Sequence, residues 1–274
     1  MNLLLLIGFG AGSIAVLWSV QTLLLLARGE PLVGPLRVRK ALAAVRWPMK
    51  LVLQLVLMGT LFGYPMAIGE DPIRYHEARL LPARPREALE LLLVMLSSFV
   101  IGTALEIGAG WVRLKRRYGF WKTARKVGQS FLTPLPLALV EEGLFRGVVL
   151  DQTLRAVRAG AAGTVLAIGV SAAVFSGVHF IRRVRTYWPA LGLFVFGCLA
   201  GVAYLAGGKS YWLPVGLHAG GIFGTQILRP FVEYHGPLWI VGNRDTPLAG
   251  MIGISVTIFL GAYVVARFSA GFLS

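Results

Sequence analysis

Uncharged apolar runs, each long enough to cross a bilayer, return along the whole chain and constrain its fold more than any other feature. About 20 apolar residues span the hydrocarbon layer as a helix. Eight such stretches are visible, near 2–27, 48–69, 88–112, 131–150, 161–181, 187–206, 211–229 and 248–270. In hydrocarbon every backbone polar group must be satisfied within the spanning structure, so runs of this length predict helices rather than barrel strands. The bulk composition agrees, at 56% hydrophobic with a mean hydropathy of +0.71. The expected fold is all-α, a polytopic integral membrane protein of about eight transmembrane helices. The first run lacks a basic leader and is too long for the core of a signal peptide, so it reads as a membrane anchor.

The net charge of +15 raises the question of nucleic acid, and its distribution answers it. Loops 28–50, 113–126 and 182–185, with Arg229 and Arg244, carry 18 Lys and Arg on one side. The opposite side carries 8, at Arg74, Arg79, Arg84, Arg86, Arg155, Arg158, Lys209 and Arg267. The positive-inside rule puts the richer side in the cytoplasm and both termini outside. The basic loops are then topology determinants and contacts for anionic lipid head groups, and no nucleic-acid partner is expected. Cys198 is the single cysteine, so no internal disulfide and no cysteine metal cluster can form. In an apolar span it reads as packing.

Within the fourth run stand Glu141, Glu142 and Arg146. A charge at bilayer depth costs about 2.5–3.5 kcal/mol or more, which makes such residues functional candidates that need partners. Glu142 and Arg146 are i,i+4 neighbours and can pair on one helix face. Glu141 points about 100° away from Glu142, and Arg146 lies about 140° around from Glu141. One carboxylate is thereby neutralised while the other faces something else. A buried ion pair that fixes packing accounts for Glu142 and Arg146 alone; two histidines in later runs extend the pattern. His179 closes the fifth run, four residues after Phe175, and His218 lies in the seventh.

EExxxR, then FxxxH, then a third-segment His resembles the CPBP family of intramembrane proteases, the CAAX prenyl endopeptidases and their bacterial relatives. The likeness covers roughly 133–224, in the family's order. It implies an intramembrane endopeptidase of glutamic type, set in a bacterial inner membrane, acting on a membrane-anchored or hydrophobic peptide or protein. By that resemblance Glu141 is the general base, His179 its partner and His218 the oxyanion donor, with Glu142, Arg146 and Phe175 in supporting places. One position departs, because the family's Asn or Asp four residues after the last His is Ile222 here. Asn243 and Asp245 are the candidate substitutes. The alternatives are a catalytically silent membrane scaffold of the same family and a proton- or ion-coupled transporter. No cofactor is favoured. Zinc, held by Glu141, His179 and His218, is the alternative, but no HExxH or other short-spaced ligand pair pre-forms a site.

The chain divides into added N-terminal helices (1–127), a family-like catalytic core (128–229) and a C-terminal loop and helix (230–274), all in one membrane domain. Thr133-Pro134 suits a helix N-cap and first turn. Glu106, inside the third run, is expected to pair with a base of loop 113–126, the alternative being that it lines a cavity. Loop 70–87 is broken by Pro72, Pro82 and Pro85 and is expected to lie on the outer surface. Gly216, Gly220 and Gly224 mark a face for close helix approach, as do Gly197 and Gly201. Segment 230–247 reads as a polar loop. Counted from span ends, His179 is near the cytoplasmic edge and His218 near the outer one. Their convergence requires a tilted helix or one that begins below the surface.

Overall fold

The computed structural model describes residues 2–30, 32, 43–81, 84–115, 118–158, 160–183, 187–242 and 249–268. Helices dominate, in the order α1 (Asn2–Leu26), α2 (Ala43–Ala67), α3 (Pro72–Leu80), α4 (Pro85–Gly108), α5 (Phe120–Leu132) and α6 (Pro134–Glu142). A π-helical segment, Gly143–Leu150, continues α6 into α7 (Asp151–Ala156). Then follow α8 (Ala161–Arg183), α9 (Tyr187–Ala206), α10 (Trp212–Leu228), α11 (Leu238–Val241) and α12 (Met251–Phe268). The protein is an all-α polytopic membrane protein.

Among the described residues five helices are long and apolar enough to cross a membrane by themselves, within α1, α4, α8, α9 and α12. The pair Leu51–Ala67 and Pro72–Leu80, bent by 108°, makes a sixth if taken as one span. Two of the eight expected stretches behave differently. The rod of α6, π segment and α7 carries Glu141, Glu142 and Arg146, and α10 has only 17 residues.

Several elements escaped the sequence reading, among them α3, α5, α11 and a pair of short strands. Pro72 opens α3 rather than breaking it, since proline at the first helical position forfeits a hydrogen bond that no helix makes there. Asp71 caps it, accepting from the amides of Ile73 (2.8 Å) and Arg74 (3.0 Å). Segment 230–247 includes a strand, β2 (Val232–Tyr234), antiparallel to β1 (Val112–Leu114), with Arg113 opposite Glu233. Three-residue strands are too short to announce themselves by alternation.

The core is built around α10. A Cβ at Gly216 would lie 2.2 Å from the Ala88 carbonyl oxygen, and one at Gly220 2.8 Å from that of Leu92. Only a bare backbone lets α10 sit this close to α4, and the contact fixes the height of His218 between the two glycines. Leu91, Met95, Leu213 and Leu217 complete that seam. Helix α1 is largely exposed and packs on α2 through Phe9 and Tyr64, with Leu17, Gln21 and Leu25 buried.

Candidate active site

The site grows from the rod. Its π-helical stretch is buried on every side, as expected of a helix without a polar face. Arg146 and Glu142 are both fully buried, with Arg146 Nε 3.0 Å from Glu142 Oε2 and Nη1 donating to Oε1 at 3.2 Å. Arg146 Nη2 donates to the Gly197 carbonyl of α9 at 3.1 Å. Close approach of α9 to α8 makes this reach possible, since a Cβ at Gly197 would meet Ala172 Cα at 2.9 Å.

Glu142 has a second partner that spacing did not suggest. His218 Nδ1 lies 2.6 Å from Glu142 Oε1. The other ring nitrogen, Nε2, faces Glu141 Oε2 at 3.5 Å. His179 Nε2 approaches the same Glu141 oxygen at 3.8 Å, while its Nδ1 meets the Phe175 carbonyl at 2.9 Å. Three helices thus bring Glu141, His179 and His218 together. The Phe175 ring sits among them, 4.5 Å from His179, 5.7 Å from His218 and 5.1 Å from the Arg146 guanidinium.

The partners fix where the protons are. A carbonyl accepts only, so His179 Nδ1 carries hydrogen; a carboxylate paired with arginine also accepts only, so His218 Nδ1 does too. Both Nε2 atoms therefore turn lone pairs toward Glu141 when the rings are neutral. A carboxylate and two imidazoles so placed can hold and pass a proton among them, a base and an acid within reach of one water.

The start of α10 is tied to α3: Tyr211 donates its amide to the Arg79 carbonyl (3.0 Å), and Trp212 Nε1 donates to that of Leu80 (2.8 Å). Helix α10 therefore begins against the C-terminal end of α3. Thr133 precedes α6 without capping it; its hydroxyl donates to Gln129 O and meets Gln226 Oε1. Glu106 is buried, yet among the described residues it has no ion-pair partner, contrary to expectation; Lys115 pairs instead with Glu233. Ile222 packs with the Ala138–Tyr211–Val215 cluster between α6 and α10. Asn243 and Asp245 lie outside the described residues.

A second buried polar group bolts α3 over the site. Arg79 pairs with Asp151 and donates to Tyr204 Oη. Tyr75 Oη donates to the Gly147 carbonyl at 2.5 Å, and His76 links the Leu61 carbonyl (2.9 Å) to Tyr211 Oη (2.8 Å). No spacing rule connects partners 72 and 135 residues apart, and the one clue was a buried-looking Asp151 at the end of an apolar run. A Cβ at Gly147 would sit 1.9 Å from Tyr211 Oη, a hydroxyl that His76 holds in place. Gly147→Ala should lower stability by about 1–3 kcal/mol, as overpacked cores do. An unchanged melting temperature in detergent would mean that Tyr211 yields without cost.

Among the described residues no group of three or more His, Cys, Asp or Glu side chains is arranged to hold a metal ion.

Comparison with known proteins adds one match. Residues 123–221 fit the family described as Rce1-like, type II CAAX prenyl endopeptidase. No curated protein and no solved structure matches the chain. That stretch runs from α5 to α10 and contains Glu141, Glu142, Arg146, His179 and His218, so the likeness to the Rce1-like, type II CAAX prenyl endopeptidase family falls on the residues that form the site.

Proposed function

We propose that the protein is an intramembrane endopeptidase that hydrolyses a peptide bond in a membrane-anchored or hydrophobic substrate. The observation that carries this reading is the meeting of Glu141, His179 and His218 at 3.5 and 3.8 Å. Glu141 takes a proton from water as it attacks the scissile carbonyl. The imidazolium of His218 donates through Nε2 to the oxyanion, a role worth about 2.7–4 kcal/mol per donor. Glu142, held by Arg146, keeps that ring oriented through Nδ1. His179 relays the proton from Glu141 to the leaving amine, which departs neutral. The reaction sits in the bacterial inner membrane, with the basic loops cytoplasmic.

The mechanism proposed is metal-free. Activity should survive dialysis against a strong chelator and gain nothing from added zinc. The rate should be bell-shaped in pH, because it needs an ionised Glu141 and a protonated imidazole together. Stoichiometric zinc in the purified protein, lost and regained together with activity, would overturn the metal-free assignment.

A further inference from the structure

Helix α5 divides into three sectors. Thr123 and Ser130, seven residues apart, are buried against the protein. Their hydroxyls are satisfied locally, Thr123 by the Tyr118 carbonyl (3.2 Å) and Ser130 by that of Lys126 (2.9 Å), so burying this polar side costs little. At 3.6 residues per turn, Phe120, Trp121, Ala124, Gly128, Phe131 and Leu132 fall within an arc of about 120°. That arc is turned outward: Phe120 is 64% exposed, Trp121 83%, Phe131 66% and Leu132 77%. Between the two lie Lys122, Arg125, Lys126 and Gln129. Lys122 and Lys126 stand over the Tyr118 ring at 4.7 and 5.1 Å, and Lys122 and Arg125 are exposed.

A helix that buries hydroxyls and presents two phenylalanines, a tryptophan and a leucine is inverted for water. It is correctly arranged for the boundary of a bilayer, where such a helix lies flat with its apolar face in the acyl region and its bases among the phosphates. The apolar arc is continuous with Leu135 and Leu139, exposed on the next helix. The bases next to it complement negative charge, and each Lys or Arg near an anionic surface gains about 1 kcal/mol. We propose that α5 is an interfacial helix seated in an anionic phospholipid leaflet, with Trp121 among the upper acyl carbons and Lys122 and Arg125 on lipid phosphates.

The inference does not depend on proteolysis, and its test reads depth alone. The full chain carrying Cys198→Ala and Trp121→Cys is spin-labelled and reconstituted into vesicles of phosphatidylcholine, with or without phosphatidylglycerol. Accessibility to oxygen and to a water-soluble nickel chelate is then compared. Oxygen should dominate, and more strongly with phosphatidylglycerol present. Adding Lys122→Gln and Arg125→Gln, both at exposed sites, should abolish that extra depth. Equal depth in the two vesicle types would defeat the anionic assignment, and chelate access in both would defeat the membrane surface altogether. Spin–spin broadening between labels would mean that two copies meet through α5, and the lipid assignment would fall.

Discussion

Glu141→Gln should silence cleavage by about 10²–10⁴-fold, the usual share of a positioned general base, while leaving the fold intact. The amide has the volume of the carboxylate and can still donate to or accept from the two Nε2 atoms, at 3.5 and 3.8 Å in the native protein. What it cannot do is remove a proton from water. The measurement is single-turnover hydrolysis of a quenched membrane-anchored peptide in proteoliposomes, with melting temperature as the control for folding. Loss of activity with an unchanged melting temperature is the expected pair of results. A variant that still cleaves within about threefold of the native rate would remove Glu141 from the chemistry. Native protein that cleaves no peptide under any condition would favour the silent scaffold, for which the aliphatic Ile222 is the one supporting feature.

The second large effect is on folding. Arg146→Ala strips a fully buried carboxylate of its cation, and breaking such a pair costs about 3–5 kcal/mol. The residual partner of Glu142 is His218 Nδ1 at 2.6 Å, which must then supply the whole counter-charge. Folded yield by size-exclusion chromatography should collapse. Adding Glu142→Gln removes the orphaned charge and should restore part of that yield. It should not restore activity, since a neutral amide replaces the charge-assisted bond that orients His218 through Nδ1. A double variant that folds no better than Arg146→Ala would show that this pair does not hold the helix.

Much of the site was legible because it obeys local rules. The Glu142–Arg146 pair follows from i,i+4 spacing, and the contrast between Glu141 and Glu142 follows from helix rotation. The glycines of α10 announced a close helix contact, and α4 makes it. The link between His218 and Glu142 was not legible, because it depends on where α10 begins. That start is tied to α3, a nine-residue helix among prolines that read as breakers. Pairs such as Arg79–Asp151 obey no periodicity at all, being made by tertiary packing. The switch to π-helix after Glu142 likewise leaves no mark in composition. The expected base for Glu106 failed for a related reason: Arg113, two turns away in sequence, leaves the helix and enters β1.

The bolt formed by Tyr75, His76 and Arg79 bears on how the protein could be taken apart. All three precede residue 123, where the family match begins, yet they hold Gly147, Tyr211 and Asp151 inside it. A chimera that grafted residues 123–221 behind foreign N-terminal helices would strip Asp151 of Arg79, leaving it Tyr204 (3.3 Å) and Lys209 (3.6 Å), and would free the Tyr211 hydroxyl at the head of α10 from His76. The recombination boundary that preserves function therefore lies upstream of Pro72, and the segment recognisable as a family domain is not the smallest inheritable unit of this protein.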